Sequence, residues 1–254
     1  MHTCLMALAK PNERYLRKSA DYIRKPGLKL KGIVIFVTFT FFPKDYLRSM
    51  EQLLKQHWEK VYQTKEPHEL SWTQDKPQTS LEFIRSFHLP KTASIIDIGG
   101  GDSHLAECLL EEGYADITVL DISSASLEKA KKRLGSKAEK IRWIVSDIRD
   151  FVPDRKYDVW HDRATFHFLT TEQEIKSYLA IVRNHTKGYL LVATSSATGP
   201  QKCSGLSIKQ YSDEQLANIF MEGFQKIRCV NVDHITPFQT KQNFTFCSFR
   251  SRAA

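Results

Sequence analysis

The stretch SIIDIGGGDSHLAECL, Ser94 to Leu109, sets the tightest limit on what this chain can fold into. A short apolar run ends in Asp97, breaks into Gly99, Gly100 and Gly101, and resumes with helical spacing. A buried strand, a glycine turn and a helix in that order open a βαβ unit, and such units stack into a parallel sheet covered on both faces.

The rest of the chain repeats the pattern. The spacing predicts a strand at Ser94–Ile98, a helix at about Ser103–Glu112, a strand in ITVLD and a helix in SASLEKAKKRL with a Ser N-cap. IRWIVSD and YDVWHD read as strands, followed by a helix at about Glu172–Asn184 and the apolar strand GYLLVATS. A helix at about Asp213–Met221 and strands near Gln225–Val232 and Asn243–Phe249 complete the series. Only DHITPFQTKQ separates the last two strands, too little for a crossover helix, so the final strand is expected antiparallel. The predicted fold class is α/β: a doubly wound, seven-stranded sheet, mostly parallel with an antiparallel last strand.

In an open parallel sheet, ligands bind outside the carboxyl ends of the strands. The three glycines occupy the first such turn, where a missing Cβ permits positive φ and close approach of the backbone. A dinucleotide fingerprint wants glycine at the place held by His104, so a pyrophosphate ligand is disfavoured. Asp97 argues in the same direction, because its carboxylate repels phosphate and attracts an ammonium or sulfonium. Asp121 ends the second strand, where a carboxylate accepts from a ribose diol. Asp147 ends the third, where it or its neighbouring amide meets an adenine amine. Each acid alone reads as a cap or a solvated turn residue; together with the glycines they outline a cationic nucleoside.

On IIDIGGGDS, VLDIS and VSDI, residues Ser94 to Phe249 resemble a class I S-adenosylmethionine-dependent methyltransferase, a Rossmann-like fold. The resemblance implies S-adenosylmethionine as cofactor and S-adenosylhomocysteine as product. It implies cofactor contacts at Asp97, Gly99, Gly100, Gly101, Asp102, Ser103, Asp121, Ile122, Asp147 and Ile148. One departure is Ser103 where many members have glycine, with Asp102 in place of a commoner Thr or Ser. In thiopurine-methyltransferase-like members a Trp…Tyr…Trp entry segment covers the cofactor, similar to Trp58, Tyr62 and Trp72 here. That likeness puts Trp72 near the methionine end, where its ring attracts a sulfonium. Trp58 and Tyr62, four residues apart, also read as helix anchors on the sheet.

The segment after the fourth strand, WHDRATFHFL, resembles the WDRG-type segment of thiol methyltransferases, and the NPPY or DPPF signature of amino-group methylation is absent. Methyl transfer from a sulfonium is an in-line displacement that needs chiefly alignment, and a base only when the nucleophile arrives protonated. Asp162 and Arg163 are expected to border cofactor and substrate, with His167 or His161 as proton acceptor. An Asp162–Arg163 ion pair that merely fixes the loop is the plainer reading. SSATGPQKCSGL reads as a mobile lid containing Cys203, and His234 as a rim or bracing residue.

Charge excludes little until it is divided. The formal net charge is +8, but residues 1–49 hold 10 of the 37 Lys and Arg against 3 of the 29 Asp and Glu. The remainder is close to neutral, which disfavours a nucleic-acid partner. Residues 1–49 are therefore expected to be a dispensable basic extension, and residues 50–254 a single domain. GIVIFVTFTFF at Gly32–Phe42 is about half of what a membrane helix needs and reads as a strand. Five widely spaced cysteines without Cys-x-x-Cys predict neither a disulfide framework nor a zinc site, and a cytoplasmic compartment. The expected activity is methyl transfer to a small molecule with a soft or deprotonatable nucleophile, with a protein lysine as the alternative acceptor. From other classes, a nucleotide-binding oxidoreductase and a non-catalytic cofactor binder are kept.

Overall fold

The computed structural model describes residues 44–253. Residues 1–43, including the Gly32–Phe42 strand expectation and most of the basic extension, lie outside the described residues. Six helices are used below: α1 (Lys44–Thr64), α2 (Gln78–Ser86), α3 (Leu105–Glu111), α4 (Ser124–Leu134), α5 (Glu172–His185) and α6 (Asp213–Phe220). The strands are β1 (Ser94–Ile98), β2 (Asp116–Asp121), β3 (Ile141–Val145), β4 (Tyr157–Arg163), β5 (Thr186–Ser195), β6 (Lys202–Cys203), β7 (Leu206–Ser207), β8 (Phe224–Ile235) and β9 (Lys241–Ser251). Helix α1 runs through Met50, so the boundary expected there falls inside a helix.

Seven strands form one sheet in the order β3-β2-β1-β4-β5-β9-β8. The first five pair in parallel, and β9 inserts antiparallel between β5 and β8. The order reverses at β1 and β4, and this switch point leaves a crevice at the carboxyl ends of the strands. Helices α4, α5 and α6 begin where the sequence supplies caps. Ser123 accepts from the Ser126 amide at the start of α4, while Thr171 with Glu174 and Ser212 with Gln215 form capping boxes on α5 and α6.

Strand alternation sorts the side chains between two cores. On one face Ile95, Val119, Val159, Leu191 and Phe246 pack against Leu81 and Ile84 of α2, Leu105 and Leu109 of α3 and Leu127 of α4. On the other, Ile96, Trp160, Leu190, Val192 and Phe249 pack against Tyr178 and Val182 of α5 and Leu216 and Phe220 of α6. A smaller cluster of Val61, Tyr62 and Leu70, with Trp58 and Trp72 beside it, ties α1 and the following loop to the domain. No described helix is long and apolar enough to cross a membrane.

Two sequence expectations are corrected. The lid segment after β5 contains a short antiparallel hairpin, β6–β7, in which Cys203 pairs with Leu206. Cys229 and Cys247, expected to be unpaired, form a disulfide. They are register partners on β8 and β9, so hairpin pairing brings together two cysteines 18 residues apart. Cys108 and Cys203 are free thiols.

Gly188 sits where β5 crosses the backbone of β4, and a Cβ there would come within 2.4 Å of the Asp158 carbonyl oxygen. Backbone cannot yield as a flexible side chain does. Gly188→Ala is therefore expected to destabilise the protein by about 1–3 kcal/mol, read as a lower urea midpoint at unchanged m-value.

Candidate active site

The crevice is lined from every element that meets it. The glycine turn supplies Gly99 and Gly100, followed by Asp102, Ser103 and His104, and the tips of β2 and β3 supply Asp121, Ile122, Ser146, Asp147 and Ile148. The roof is aromatic: Trp58 of α1 lies edge-on to Trp72 at 5.8 Å and to Phe168 at 5.3 Å, with Tyr62 6.3 Å from Trp72. Pro200, Cys203 and Ile208 close it from the hairpin side.

The glycines are held to their conformation by protein as well as by any ligand. Gly99 and Gly101 have φ of +64° and +47°. A Cβ on Gly99 would lie 1.9 Å from Thr165 Oγ1, whose hydroxyl donates to the Ile98 carbonyl at 3.1 Å. On Gly101 it would come within 2.9 Å of the Tyr62 hydroxyl and 3.0 Å of Asp121 Oδ2. Gly101 itself does not line the cavity, so its place is the floor of the turn.

Asp97 is buried, and its Oδ1 lies 2.6 Å from His161 Nδ1, which donates to it; on the far side of the ring Nε2 meets Ser80 Oγ at 2.9 Å. Register dictates this pair, since Asp97 of β1 is directly opposite His161 of β4. Asp121 is also buried, with Oδ1 accepting the Ser123 amide at 2.8 Å. Burial pushes its carboxyl up to about 7, against the pull of the Ser123 and Ser126 hydrogen bonds. Asp147 is forked by Arg149, whose Nε and Nη2 donate to its two oxygens at 3.0 and 2.6 Å, so the Ile148 amide becomes the freer of the two groups expected to meet adenine. Asp102 pairs with Arg133 of α4, and Ser103 Oγ accepts the Leu105 amide at the start of α3, so both side chains brace the turn.

Of the four residues expected to do chemistry, the structure moves three to other duties. Asp162 lies on the opposite face of β4 from His161 and does not line the cavity. It is fully enclosed, accepting from the Thr165 and Phe166 amides at 3.0 Å each and from the Tyr178 hydroxyl at 2.6 Å. Its carboxyl, pushed up to about 6 by burial, fixes the loop after β4, and no ion pair joins it to Arg163 among the described residues. His161 has both ring nitrogens engaged, as above. His167 accepts the Ser195 amide at Nδ1, 3.2 Å away, which places its hydrogen on Nε2. Burial and the Arg163 charge hold its basicity down to about 3, so it is a neutral donor toward the cavity and not the expected proton acceptor. Only Arg163 lines the cavity with its charge, donating from Nη1 to the Trp72 carbonyl at 3.1 Å.

Several lining residues carried no signal as site residues in the sequence. Ser80 lies in an ordinary amphipathic helix, and Gln242 and Phe244 share one face of β9 by simple alternation. His234 braces the entry loop instead of reaching the rim: its Nε2 donates to the Ser71 carbonyl at 2.7 Å.

A switch-point crevice with a glycine turn and acids at neighbouring strand tips, in a sheet with an inserted antiparallel β9, is a Rossmann-like arrangement of the kind the sequence resemblance implies. Residues 95–188 match the family model described as "Methyltransferase domain". The chain is 38% identical over 112 residues to a malonyl-[acyl-carrier protein] O-methyltransferase of Anoxybacillus flavithermus, covering 43% of this chain and 41% of that protein. It is 29% identical over 121 residues to the mouse eEF1A lysine and N-terminal methyltransferase, 46% of this chain and 17% of that protein. It thus spans less than half the length of the first curated relatives it matches. Among solved structures, a Burkholderia thailandensis 1,6-didemethyltoxoflavin-N1-methyltransferase with bound S-adenosylhomocysteine superposes with a TM-score of 0.60 at 14% identity, covering 87% of this chain and 93% of that one. At that identity the likeness concerns the fold.

Asp162→Ala leaves two amides and a hydroxyl without an acceptor in a sealed environment. It is expected to lower stability by about 2–4 kcal/mol in urea unfolding. Asp162→Asn, which keeps an acceptor for the amides, should lose less.

Proposed function

We propose that this chain transfers a methyl group from S-adenosylmethionine to a small-molecule acceptor. The observation that carries the reading is the buried Asp121 carboxylate facing the Gly101 turn, with an aromatic roof across the same crevice. The donor set fits an adenosyl sulfonium: the Asp121 carboxylate, its Oδ1 held by the Ser123 amide and its Oδ2 without a hydrogen bond among the described residues, for a ribose diol, the Ile148 amide beside Asp147 for adenine, and the Trp72 ring for a positive sulfur. Asp97, locked by His161, adds negative charge beside the turn, where phosphate would be repelled. The bound cofactor supplies an activated methyl group on a sulfonium. The protein's part is to align the acceptor and to keep water out beneath Trp58, Trp72 and Phe168.

What favours a small acceptor over a protein lysine is the enclosure by Pro200, Cys203 and Ile208 together with that aromatic roof. The zebrafish EEF1A lysine methyltransferase 2, 22% identical over 68% of this chain and 76% of that protein, keeps the lysine acceptor as the alternative to be tested. Labelled S-adenosylmethionine offered with a dialysable extract and, separately, with its dialysed protein fraction tells them apart. Label moving only into protein would overturn the small-molecule reading. A cofactor sensor would move label into neither. Heat of binding with NAD and none with S-adenosylhomocysteine would mark an oxidoreductase.

Asp121→Ala is expected to weaken S-adenosylhomocysteine binding by about 1–3 kcal/mol in calorimetry. The pH dependence follows from the same carboxyl. Hydrogen bonds from a diol favour the ionised form, whereas in the free protein Asp121 is half protonated near pH 7. Affinity for S-adenosylhomocysteine should rise as pH increases toward about 7 and level off above it, with proton release below that point. The release is measured by calorimetry in two buffers of different ionisation enthalpy. A pH-independent affinity would remove the ribose role from Asp121.

A further inference from the structure

We propose that Arg163 and His167 form an oxyanion-binding corner for the acceptor, so that the substrate of the reaction proposed above is a carboxylate or similar anion. The inference rests on that methyl-transfer reading. Arg163 stands at the end of β4 with its guanidinium 5.2 Å above the Phe244 ring and one bond, to the Trp72 carbonyl. Its Nε is enclosed with no hydrogen-bond partner, and no carboxylate lies within ion-pair distance among the described residues. The nearest acid by charge effect, Asp97, is already committed to His161. Arg163 is half-buried, with its Nε enclosed and no counter-ion in contact among the described residues, an arrangement that an anionic ligand would complete.

A second group points the same way. His167 is 1% exposed, and its Nε2 has no partner. Because Nδ1 is filled by the Ser195 amide, Nε2 carries the hydrogen, an unpaired neutral donor on a residue that lines the same cavity as Arg163. One cation without a counter-ion in contact and one unpaired N–H donor favour an oxyanion over an amine.

We assign this anion to the acceptor; the carboxylate of the cofactor's amino-acid portion is the other occupant that the test below separates. Asp121 and Asp147 stand on the β2 and β3 side of the switch point. Arg163 stacks on Phe244 of β9 and His167 accepts from Ser195 of β5, while the one Arg163 hydrogen bond goes to the Trp72 carbonyl in the entry loop. The corner thus lies away from the β2 and β3 tips that carry Asp121 and Asp147.

The test titrates the protein, saturated with S-adenosylhomocysteine, with sodium formate and sodium benzoate at constant ionic strength, with benzamide as the neutral control. Saturable binding of at least one carboxylate is expected, absent for benzamide. Arg163→Gln should weaken it at least tenfold while changing S-adenosylhomocysteine affinity less than threefold, and Arg163→Lys should retain part of it. If Arg163→Gln does not fold, the His167 imidazole nitrogen resonance of the wild-type protein, shifting as formate saturates, takes its place. Absence of carboxylate binding, or equal binding by Arg163→Gln, overturns the proposal. So does binding seen only without S-adenosylhomocysteine, joined to a tenfold loss of S-adenosylhomocysteine affinity in Arg163→Gln, since the corner would then hold the cofactor's own carboxylate. Failure of the wild-type protein to bind S-adenosylhomocysteine overturns the methyl-transfer reading instead, and the same carboxylate titration of the ligand-free protein then decides the corner by itself.

Discussion

The parallel pairing of β1 with β4 is the constraint from which the site follows. Their register sets Asp97 opposite His161 and Ile98 opposite Asp162. Alternation then divides β4: His161 and Arg163 face the crevice side, while Trp160 and Asp162 face the core beneath α5. A slip of one residue would exchange the sets, burying the Arg163 charge against Tyr178 and turning the Asp162 carboxyl into the cavity. The three acceptor bonds of Asp162 and the Asp97–His161–Ser80 chain oppose such a slip from opposite faces of the same strand.

Much of the frame was legible because it rests on local signals. Helix α4 was read to the residue, since Ser123 caps it, Gly135 ends it and its cations gather in the last turn. The glycine turn and the acids at the strand tips were legible for the same reason: each is a short motif beside a short strand. Strand β8, by contrast, runs to Ile235 and β9 starts at Lys241, longer than the apolar runs suggest, because two antiparallel strands hydrogen-bond each other through polar stretches that carry no hydrophobic signal.

What the sequence could not disclose was orientation. Asp162, Arg163, His161 and His167 form one dense chemical cluster when read along the chain, and only the pleat shows that a strand presents alternate residues to different surroundings. The disulfide between Cys229 and Cys247 was hidden in the same way, since it depends on the register of a hairpin whose turn has no strong motif. Ser80 and Phe244 entered the site from elements that looked like ordinary packing.

The placement of the imidazoles bears on chemistry. His161 spends both ring nitrogens on Asp97 and Ser80, and His167 spends its lone pair on the Ser195 amide. The Cys203 thiol, pushed up to about 11 by burial, is not a thiolate at neutral pH. Among these groups no base stands ready on the acceptor side of the crevice. A nucleophile aligned there therefore does best when it arrives already deprotonated, and an anion beside Arg163 and the His167 N–H is the species that such a corner would stabilise. Electrostatics and the shortage of proton acceptors thus favour the same class of substrate, for independent physical reasons.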